Sequence, residues 1–334
     1  TCTSMADTFK FAVLGPVPRD RITTHEGLVV DKYGCGLNTV AALSALMDGG
    51  GDISLVTHLR RIDHERVLEI LSLFPNADTE HVRSDNDMGD VITLKYLDEE
   101  QRQEWQTAFM DPIVPQDVED LVDADAFICV PVTDFEIALE TLKYIKAHSS
   151  GTVIFSAHGP TQTCTRQGER HPKFWIDRDL WLPYIDILQM NLYEARCCWY
   201  GKEYTPQQLQ AMDYDSELPL DEMPKLARHC LDRGVKAVFL TLSEAGCAFY
   251  TKDEQGQVRE SFVKRVHVEH VIDTTGCVEA FAGGLAFGYL KTGSFLQAAR
   301  YANAMGAQRC TGTEIGNFKS LAETDRQIAE SYPS

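Results

Sequence analysis

The sequence lacks several features that would place it in a broad class of proteins. Its 334 residues include no run of about 18 apolar residues, which a membrane-spanning helix needs. The segment Thr1–Lys10 has no apolar core of a secretory signal. Basic residues are few, with 31 Lys and Arg against 50 Asp and Glu and a formal net charge of −19. We therefore expect a cytoplasmic protein with no membrane and no nucleic-acid partner, because such partners require clustered basic side chains.

Cysteine patterns typical of metal sites or disulfide scaffolds are also missing. The ten cysteines form no Cys-x-x-Cys pair, and the adjacent Cys197 and Cys198 cannot bridge each other easily. A chain of this length does not need disulfides to build a core, so we expect reduced thiols. His267 and His270 lack a third ligand at metal-binding spacing, and a zinc site is therefore not predicted.

Two common nucleotide-binding loops are absent. Gly288 to Gly293 has the spacing of a P-loop, but Ser294 follows it in place of Lys-Ser or Lys-Thr. Gly34 and Gly36 begin a dinucleotide-type pattern, but Thr39 stands where the third glycine is required. An NAD-dependent oxidoreductase is therefore disfavoured.

The hydrophobic pattern that is present is that of an α/β protein. Apolar strands alternate with amphipathic helices, which predicts a mostly parallel central sheet with helices on both faces, a three-layer α/β/α fold. The predicted strands are 126–130, 152–156, 185–190 and 237–241, and the predicted helices are 135–147, 191–200 and 221–233. Alternating segments at 25–33 and 90–97 predict a separate small sheet. We expect a single domain over 8–334, with lid insertions at about 16–34 and 88–112.

The most informative stretch is Asp273-Thr274-Thr275-Gly276-Cys277-Val278-Glu279. It follows a strand-like segment, 263–271, and precedes a segment with helical apolar spacing, 280–290. Backbone N–H groups at the start of a helix point to one spot and attract anions. A carboxylate beside such a helix end, here Glu279, can deprotonate a hydroxyl next to a phosphoryl group.

This stretch resembles the C-terminal signature of the ribokinase-like (PfkB) carbohydrate and nucleoside kinases, Asp-Thr-Thr-Gly-Ala-Gly-Asp-Ala-Phe-x-x-Gly. The chain keeps the positions Asp273, Thr274, Thr275, Gly276, Ala280, Phe281 and Gly284. Val278 replaces the second glycine, and Glu279 replaces the catalytic aspartate. The resemblance implies a ribokinase-like fold with a β lid, and transfer of the γ-phosphoryl of ATP to a hydroxyl of a sugar or nucleoside. It also implies that Glu279 is the base, and that Gly276, Cys277 and Val278 offer amides to the phosphoryl group.

A second motif concerns the acceptor. Tyr33-Gly34-Cys35-Gly36-Leu37-Asn38 resembles the family's Gly-Gly-x-Gly-x-Asn element, with Tyr33 at the first glycine. The resemblance implies that Gly34, Gly36 and Asn38 bind acceptor hydroxyls together with Asp20, which we expect in a loop after the first strand. Carboxylate and amide groups suit neighbouring hydroxyls because they accept and donate hydrogen bonds. Taken alone, Asn38 is a helix cap and Asp20 a turn residue.

Three further motifs concern the donor and its metal. Asn191 and Glu194 have the family's Asn-x-x-Glu spacing, which implies a magnesium ion organised partly through water, although a helix capping box has the same spacing. The loop from Thr241 to Gly246 resembles the nucleotide loop Thr-Leu-Gly-x-x-Gly, with Ser243 at the first glycine. The resemblance also implies that Asn303 lies near the adenine, although an ordinary polar position on a helix explains Asn303 equally well, and that Asp273 and Thr275 hold a monovalent cation (K⁺). His158 follows a predicted strand and is expected to be a loop residue.

The departures from the signature leave two hypotheses open. The Glu279 carboxylate reaches one methylene further than aspartate, and a misplacement of about 1 Å can cost about 10²-fold in rate. Val278 would be strained if its backbone required a positive φ. The chain is therefore either a working kinase with a modified centre or a catalytically impaired ligand-binding or regulatory relative. The resemblance of the lid also implies a homodimer contact. The sequence does not distinguish sugars, sugar phosphates and nucleosides as the acceptor.

Overall fold

The computed structural model describes residues 8–98, 102–200, 205–211 and 215–334. The strands are β1 Lys10–Leu14, β2 Arg19–Thr23, β3 Val29–Tyr33, β4 Asp52–His58, β5 Ala77–Asp78, β6 Val82–Arg83, β7 Val91–Tyr96, β8 Arg102–Ala108, β9 Ala126–Cys129, β10 Thr152–Ser156, β11 Gln162–Cys164, β12 Arg170–Pro172, β13 Ile187–Asn191, β14 Ala237–Thr241, β15 Cys247–Lys252 and β16 Val258–Val263. The helices are α1 Gly36–Leu46, α2 Arg61–Leu71, α3 Leu139–His148, α4 Arg178–Trp181, α5 Leu192–Cys198, α6 Pro206–Ala211, α7 Met223–Leu231, α8 Cys277–Thr292, α9 Phe295–Cys310 and α10 Leu321–Ser331.

The main sheet has the strand order β16-β15-β14-β13-β10-β9-β1-β4-β5, and β6 also pairs with β4. Pairing is parallel from β5 to β14, whereas β15 and β16 are antiparallel. Its apolar strands are buried on both faces, by α1, α8 and α9 on one side and by α3 and α7 on the other. The predicted three-layer α/β/α fold with a mostly parallel sheet is therefore confirmed, and the carboxyl ends of the strands line up at one edge.

A second sheet of four strands, in the order β3-β2-β7-β8, forms the lid. These strands lie within the predicted segments 16–34 and 88–112, of which residues 99–101 lie outside the described residues. The predicted strand over 25–33 begins only at Val29, because the chain turns at Gly27, where φ is 85°. Asp20 consequently lies on β2 and not in a loop, with its partner Lys32 on β3.

Three other sequence predictions differ from the structure. The alternating segment 263–271 is not a strand, because β16 ends at Val263. Val266 and Val268 of this segment pack against the core without a partner strand, which explains the alternation. The β15–β16 hairpin was not predicted, and the helix expected from residue 135 begins at Leu139. Within the described ranges, no helix is both long and apolar enough to cross a membrane.

Candidate active site

Helix α8 is preceded by a capping glycine, Gly276, that no other residue can replace without strain. Gly276 caps the helix with φ of 82°, and a Cβ atom there would lie 2.4 Å from Asn38 Nδ2. Two side chains hold the first turn, since Gln189 Nε2 donates to the Val278 carbonyl at 3.2 Å and Thr39 Oγ1 donates to that of Glu279 at 2.9 Å. The first amides of α8 have no acceptor within the helix, so this fixed end can bind an anion.

The start of α8 faces a cavity of about 140 Å³, called here the helix-end cavity. Its walls come from the ends of β9, β10 and β13 and from α8, and they include His158, Asn191, Glu194, Gly276 and Glu279. These residues meet because the carboxyl ends of parallel strands share one edge of the sheet.

Glu194 makes two interactions in this cavity. Asn191 Oδ1 accepts from the Glu194 amide at 2.8 Å, and Glu194 Oε1 accepts from the Asn191 amide at 3.2 Å, which is a reciprocal capping box at the start of α5. Glu194 Oε2 lies 3.1 Å from His158 Nδ1. Burial is the largest single influence and opposes protonation of His158, but the hydrogen bond to Glu194 and the negative charge of Glu194 together outweigh it, so the pKa of His158 is raised. His158, expected to be an ordinary loop residue, therefore lines the cavity, where Glu194 favours its protonated form.

Glu279 and Val278 occupy the first turn of α8. Burial raises the pKa of the Glu279 carboxyl, and the charge of Glu194 adds to this, whereas His158 opposes it. A base is most effective when its pKa approaches the working pH, so the direction of this shift suits proton abstraction. Val278 is helical and does not have a positive φ, so the strain considered from the sequence is absent.

The predicted acceptor residues lie beside this helix end. A Cβ atom on Gly34 would lie 3.8 Å from Asp20 Oδ2 and 3.6 Å from Asn38 Nδ2, and Asn38 in turn touches Gly276. Asn38 is 1% exposed, and its Oδ1 already accepts from Arg309 Nε at 2.8 Å, so its amide nitrogen is the group left to face a ligand.

Gly36 has a different place from the one expected. Its amide donates to the Pro16 carbonyl at 3.1 Å, and a Cβ atom there would lie 3.1 Å from Leu55 Cδ1. The glycine is needed for close packing of α1 on the sheet, and its N–H group is used within the fold.

A second, mostly apolar cavity of about 370 Å³ adjoins the first and is called here the apolar cavity. Thr274 and Val278 line both cavities, so Val278 forms part of the boundary between them. The predicted donor residues Thr241, Ser243, Gly246 and Asn303 all line the apolar cavity.

The loop after β14 keeps the backbone of a glycine-rich turn. Ser243 has φ of 50° and Gly246 has φ of 104°, so serine adopts the left-handed conformation that glycine adopts freely. Asn303 Nδ2 donates to the Lys264 carbonyl and to Tyr332 Oη, both at 3.1 Å. Asn303 therefore fastens the wall of the apolar cavity to residues outside it.

Comparison with known proteins agrees with this fold. Residues 171–320 match the model of the pfkB family carbohydrate kinases. The fold matches Arabidopsis thaliana ribokinase complexed with ribose and ATP, with a TM-score of 0.70, 17% identity, and coverage of 96% of this chain and 99% of that one. The resemblance to the ribokinase-like (PfkB) kinases is confirmed.

Other ribokinase-like structures match equally well. A Burkholderia thailandensis nucleoside kinase in complex with inosine has a TM-score of 0.67 and 21% identity, and the match covers 97% of this chain and 99% of that one. A pyrophosphate-dependent kinase of the ribokinase family, complexed with a pyrophosphate analog and myo-inositol, has a TM-score of 0.67 and 16% identity over 91% of this chain and 96% of that one. No curated protein matches the sequence.

The structure does not bring Asp273 and Thr275 into either cavity of this ribokinase-like fold. Asp273 Oδ1 accepts from the Thr275 amide at 2.9 Å, which shapes the turn before Gly276. Among the residues described, no group of three or more His, Cys, Asp or Glu is arranged to hold a metal ion. Of the two carboxylates predicted to bind metal ions, Glu194 and Asp273, Glu194 lines the helix-end cavity and Asp273 lines neither cavity.

The cysteines also differ from expectation. The sulfur atoms of Cys277 and Cys310 are joined, with Cα atoms 6.3 Å apart, although reduced thiols were predicted throughout. Such a pair is not recognisable from the sequence, because the two positions are 33 residues apart and meet only through the packing of α8 against α9.

Proposed function

We propose that the protein transfers the γ-phosphoryl of ATP to a hydroxyl of a sugar or nucleoside. The observation that carries this proposal is the meeting of two cavities at the start of α8. The apolar cavity includes Val266, Val268, Phe281 and Ala307, which suit a purine base better than inorganic pyrophosphate. Ribokinase-like relatives with a sugar, a nucleoside or an inositol support a small polyhydroxylated acceptor.

Glu279 is the base in this proposal. Glu279 lines the helix-end cavity, and Gly276 in the same cavity wall lies against Asn38, which supports a role for Glu279 in taking the proton of the acceptor hydroxyl. The amides at the start of α8, and His158 in its protonated form, stabilise the negative charge of the phosphoryl group in transfer. Positioning and electrostatics supply most of the acceleration in this reaction class.

Magnesium fits the helix-end cavity through Glu194. Each oxygen of this carboxylate accepts one hydrogen bond and retains a second lone pair, and magnesium needs few carboxylates because it keeps several waters. When bound there, the ion would neutralise phosphate charge. A K⁺ site at Asp273 and Thr275, a homodimer formed through the lid and a cytoplasmic location stay predictions, and light scattering would test the dimer.

A catalytically impaired binding protein is the second candidate. Two observations favour it, namely the Val278 side chain on the boundary between the cavities and the pairing of Glu194 with His158. The Val278 side chain and the His158 ring would both occupy space that the phosphates and the metal ion need.

The deciding experiment is an ADP-release assay with ATP, Mg²⁺ and a panel of ribose, fructose, inosine and myo-inositol. We expect turnover that falls by about 10²- to 10⁴-fold in Glu279→Ala, the range for loss of a general base. Glu140→Ala, an exposed acidic residue in the first turn of α3, is the matched control and keeps full activity. ATP or acceptor binding without turnover, measured by thermal shift, would favour the second candidate.

A further inference from the structure

Cys277 and Cys310 are brought together by the two longest helices that the structure describes. Cys277 is the first residue of α8 and Cys310 is the last residue of α9, and each helix has 16 residues. Because the helices pack side by side in opposite directions, the start of one lies beside the end of the other. The Cα separation of 6.3 Å lies within the range that a disulfide spans without movement of the backbone.

Both sulfur-bearing residues line the apolar cavity, where the proposed function places the nucleotide. Both are half-buried, so small thiols and disulfides can reach them through this cavity. A nucleotide in the cavity would cover them. A disulfide between Cys277 and Cys310 would therefore form in the wall of the proposed nucleotide site.

The other described cysteines are poor competitors for oxidation. Burial raises the pKa of all of them: Cys35, Cys129, Cys164, Cys197, Cys198, Cys230 and Cys247. Thiolates, and not thiols, attack disulfides. Cys277 stands at the start of a helix, where the helix dipole favours negative charge.

We propose that Cys277 and Cys310 form a reversible disulfide that weakens nucleotide binding, so that the protein responds to the thiol redox state of its surroundings. The coupling to nucleotide rests on the proposed function. The Cys277 thiolate attacks a small disulfide RSSR, forms the mixed disulfide and releases RS⁻. The Cys310 thiolate then attacks the Cys277 sulfur and releases the second RS⁻. Two protein thiols are oxidised, one RSSR is reduced to two RSH, and the two thiol protons pass to the released thiolates.

The direction of the effect follows from the backbone next to the bond. The Cys277 amide donates to the Thr274 carbonyl at 3.3 Å, and the amides of Ile272 and Asp273 donate to the Cys310 carbonyl at 2.8 and 3.3 Å. A disulfide fixes this arrangement and keeps the Cys277 amide away from a phosphate. The reduced pair leaves the turn from Thr274 to Cys277 able to open and give that amide to the nucleotide.

The test uses the full chain in buffers of defined ratio of glutathione to glutathione disulfide. Mass spectrometry after alkylation reports the closed fraction of the Cys277–Cys310 pair, and calorimetry reports ATP binding. We expect about 10-fold weaker ATP binding after oxidation, restored by dithiothreitol. Because ATP binds the reduced pair more tightly, linkage requires saturating ATP to raise the midpoint potential of the pair by a matching amount, about 30 mV for each factor of ten.

Two variants make the test specific. Cys310→Ser cannot close the bond and should show the same ATP affinity in reducing and oxidising buffer. Cys164→Ser, on β11 and outside both the apolar and the helix-end cavity, should keep the full response of the unmodified chain. The inference is overturned if the pair stays reduced at every ratio, or if closure leaves ATP binding unchanged. If the Cys277–Cys310 disulfide forms but the protein binds no ATP in the oxidised or the reduced state, both the coupling between disulfide and nucleotide and the ATP part of the proposed function are contradicted. Intact ATP binding with no redox response would contradict this inference alone.

Discussion

Asn38 and Arg309 lie 271 residues apart in the sequence, and Arg309 Nε donates to Asn38 Oδ1 at 2.8 Å in the protein interior. Arg309 Nη1 also donates to the Gly312 carbonyl at 2.9 Å. The end of α9 thereby orients the side chain that touches Gly276 at the start of α8. The proposed acceptor element and the start of α8 are thus aligned through one buried guanidinium.

Replacing Arg309 with methionine should therefore harm both stability and acceptor binding. The substitution leaves Asn38 Oδ1 and the Gly312 carbonyl without donors, and we expect a loss of about 2–4 kcal/mol in the free energy of unfolding. Urea denaturation measures this loss, and the KM for the acceptor reports misplacement of Asn38. Arg326→Met, at an exposed position of α10, is the matched control and should change stability by less than about 0.5 kcal/mol. Equal stability of the two variants would show that the Asn38–Arg309 contact is unimportant.

Val278 offers a test of the modified signature. Because it lines both cavities, Val278→Gly should open the boundary between them and raise turnover, by about 10-fold when combined with Glu279→Asp. The glycine lies in a helical turn and should cost about 1 kcal/mol of stability. Steady-state kinetics with ATP as the varied substrate measures the gain. Turnover that does not rise in the double variant would show that these positions do not limit the rate.

The parts of the fold that were predictable from the sequence depend on local patterns. The strands 152–156 and 237–241 were predicted with their observed bounds, because each is a short apolar run between turn residues. The helix start at Gly276 was predicted from turn residues followed by helical apolar spacing. Such signals need no knowledge of distant residues.

The parts that were missed depend on contacts between distant segments. His158 contacts Glu194 only because β10 and β13 are neighbours in the sheet. The sequence of neither strand indicates which strand it pairs with. The capping box at the start of α5 is present, and Asn191 and Glu194 also line the helix-end cavity, whereas the magnesium interpretation of that motif stays a prediction. The alternation over 263–271 was misread because burial of every second residue does not require a partner strand.

Turnover should follow a bell-shaped pH profile set by two groups of the helix-end cavity. Glu279 acts only when deprotonated, and burial raises its pKa, so kcat/KM should fall as pH drops and reach half its value above the ordinary glutamate range. His158 assists only when protonated, and its raised pKa places the alkaline limb above the ordinary histidine value. His158→Asn should remove the alkaline limb and leave the acid limb. An unchanged profile in that variant would show that His158 does not contribute charge.

A pair of buried carboxyl groups beneath the lid should make the protein less stable as pH rises. Asp90 and Glu136 are 3% and 4% exposed and contact each other, and burial raises the pKa of both. Because the folded state holds a proton that the unfolded state has already lost, this contribution to stability is fully present below the ordinary carboxyl values near about 4 and declines up to the raised ones.

Asp90→Asn should therefore stabilise the protein at neutral pH by about 1–3 kcal/mol. The substitution removes one of the two charges and keeps an oxygen to accept the Met110 amide, which lies 2.7 Å from Asp90 Oδ1. Thermal melts between pH 4 and 8 measure the effect, and the gain should shrink towards pH 4, where the Asp90–Glu136 pair already holds its proton. Asp85→Asn, at an exposed position nearby, should show no such pH-dependent gain. A destabilised Asp90→Asn at pH 7 would show that the ionised pair stabilises the lid junction, since loss of an unfavourable charge cannot lower stability.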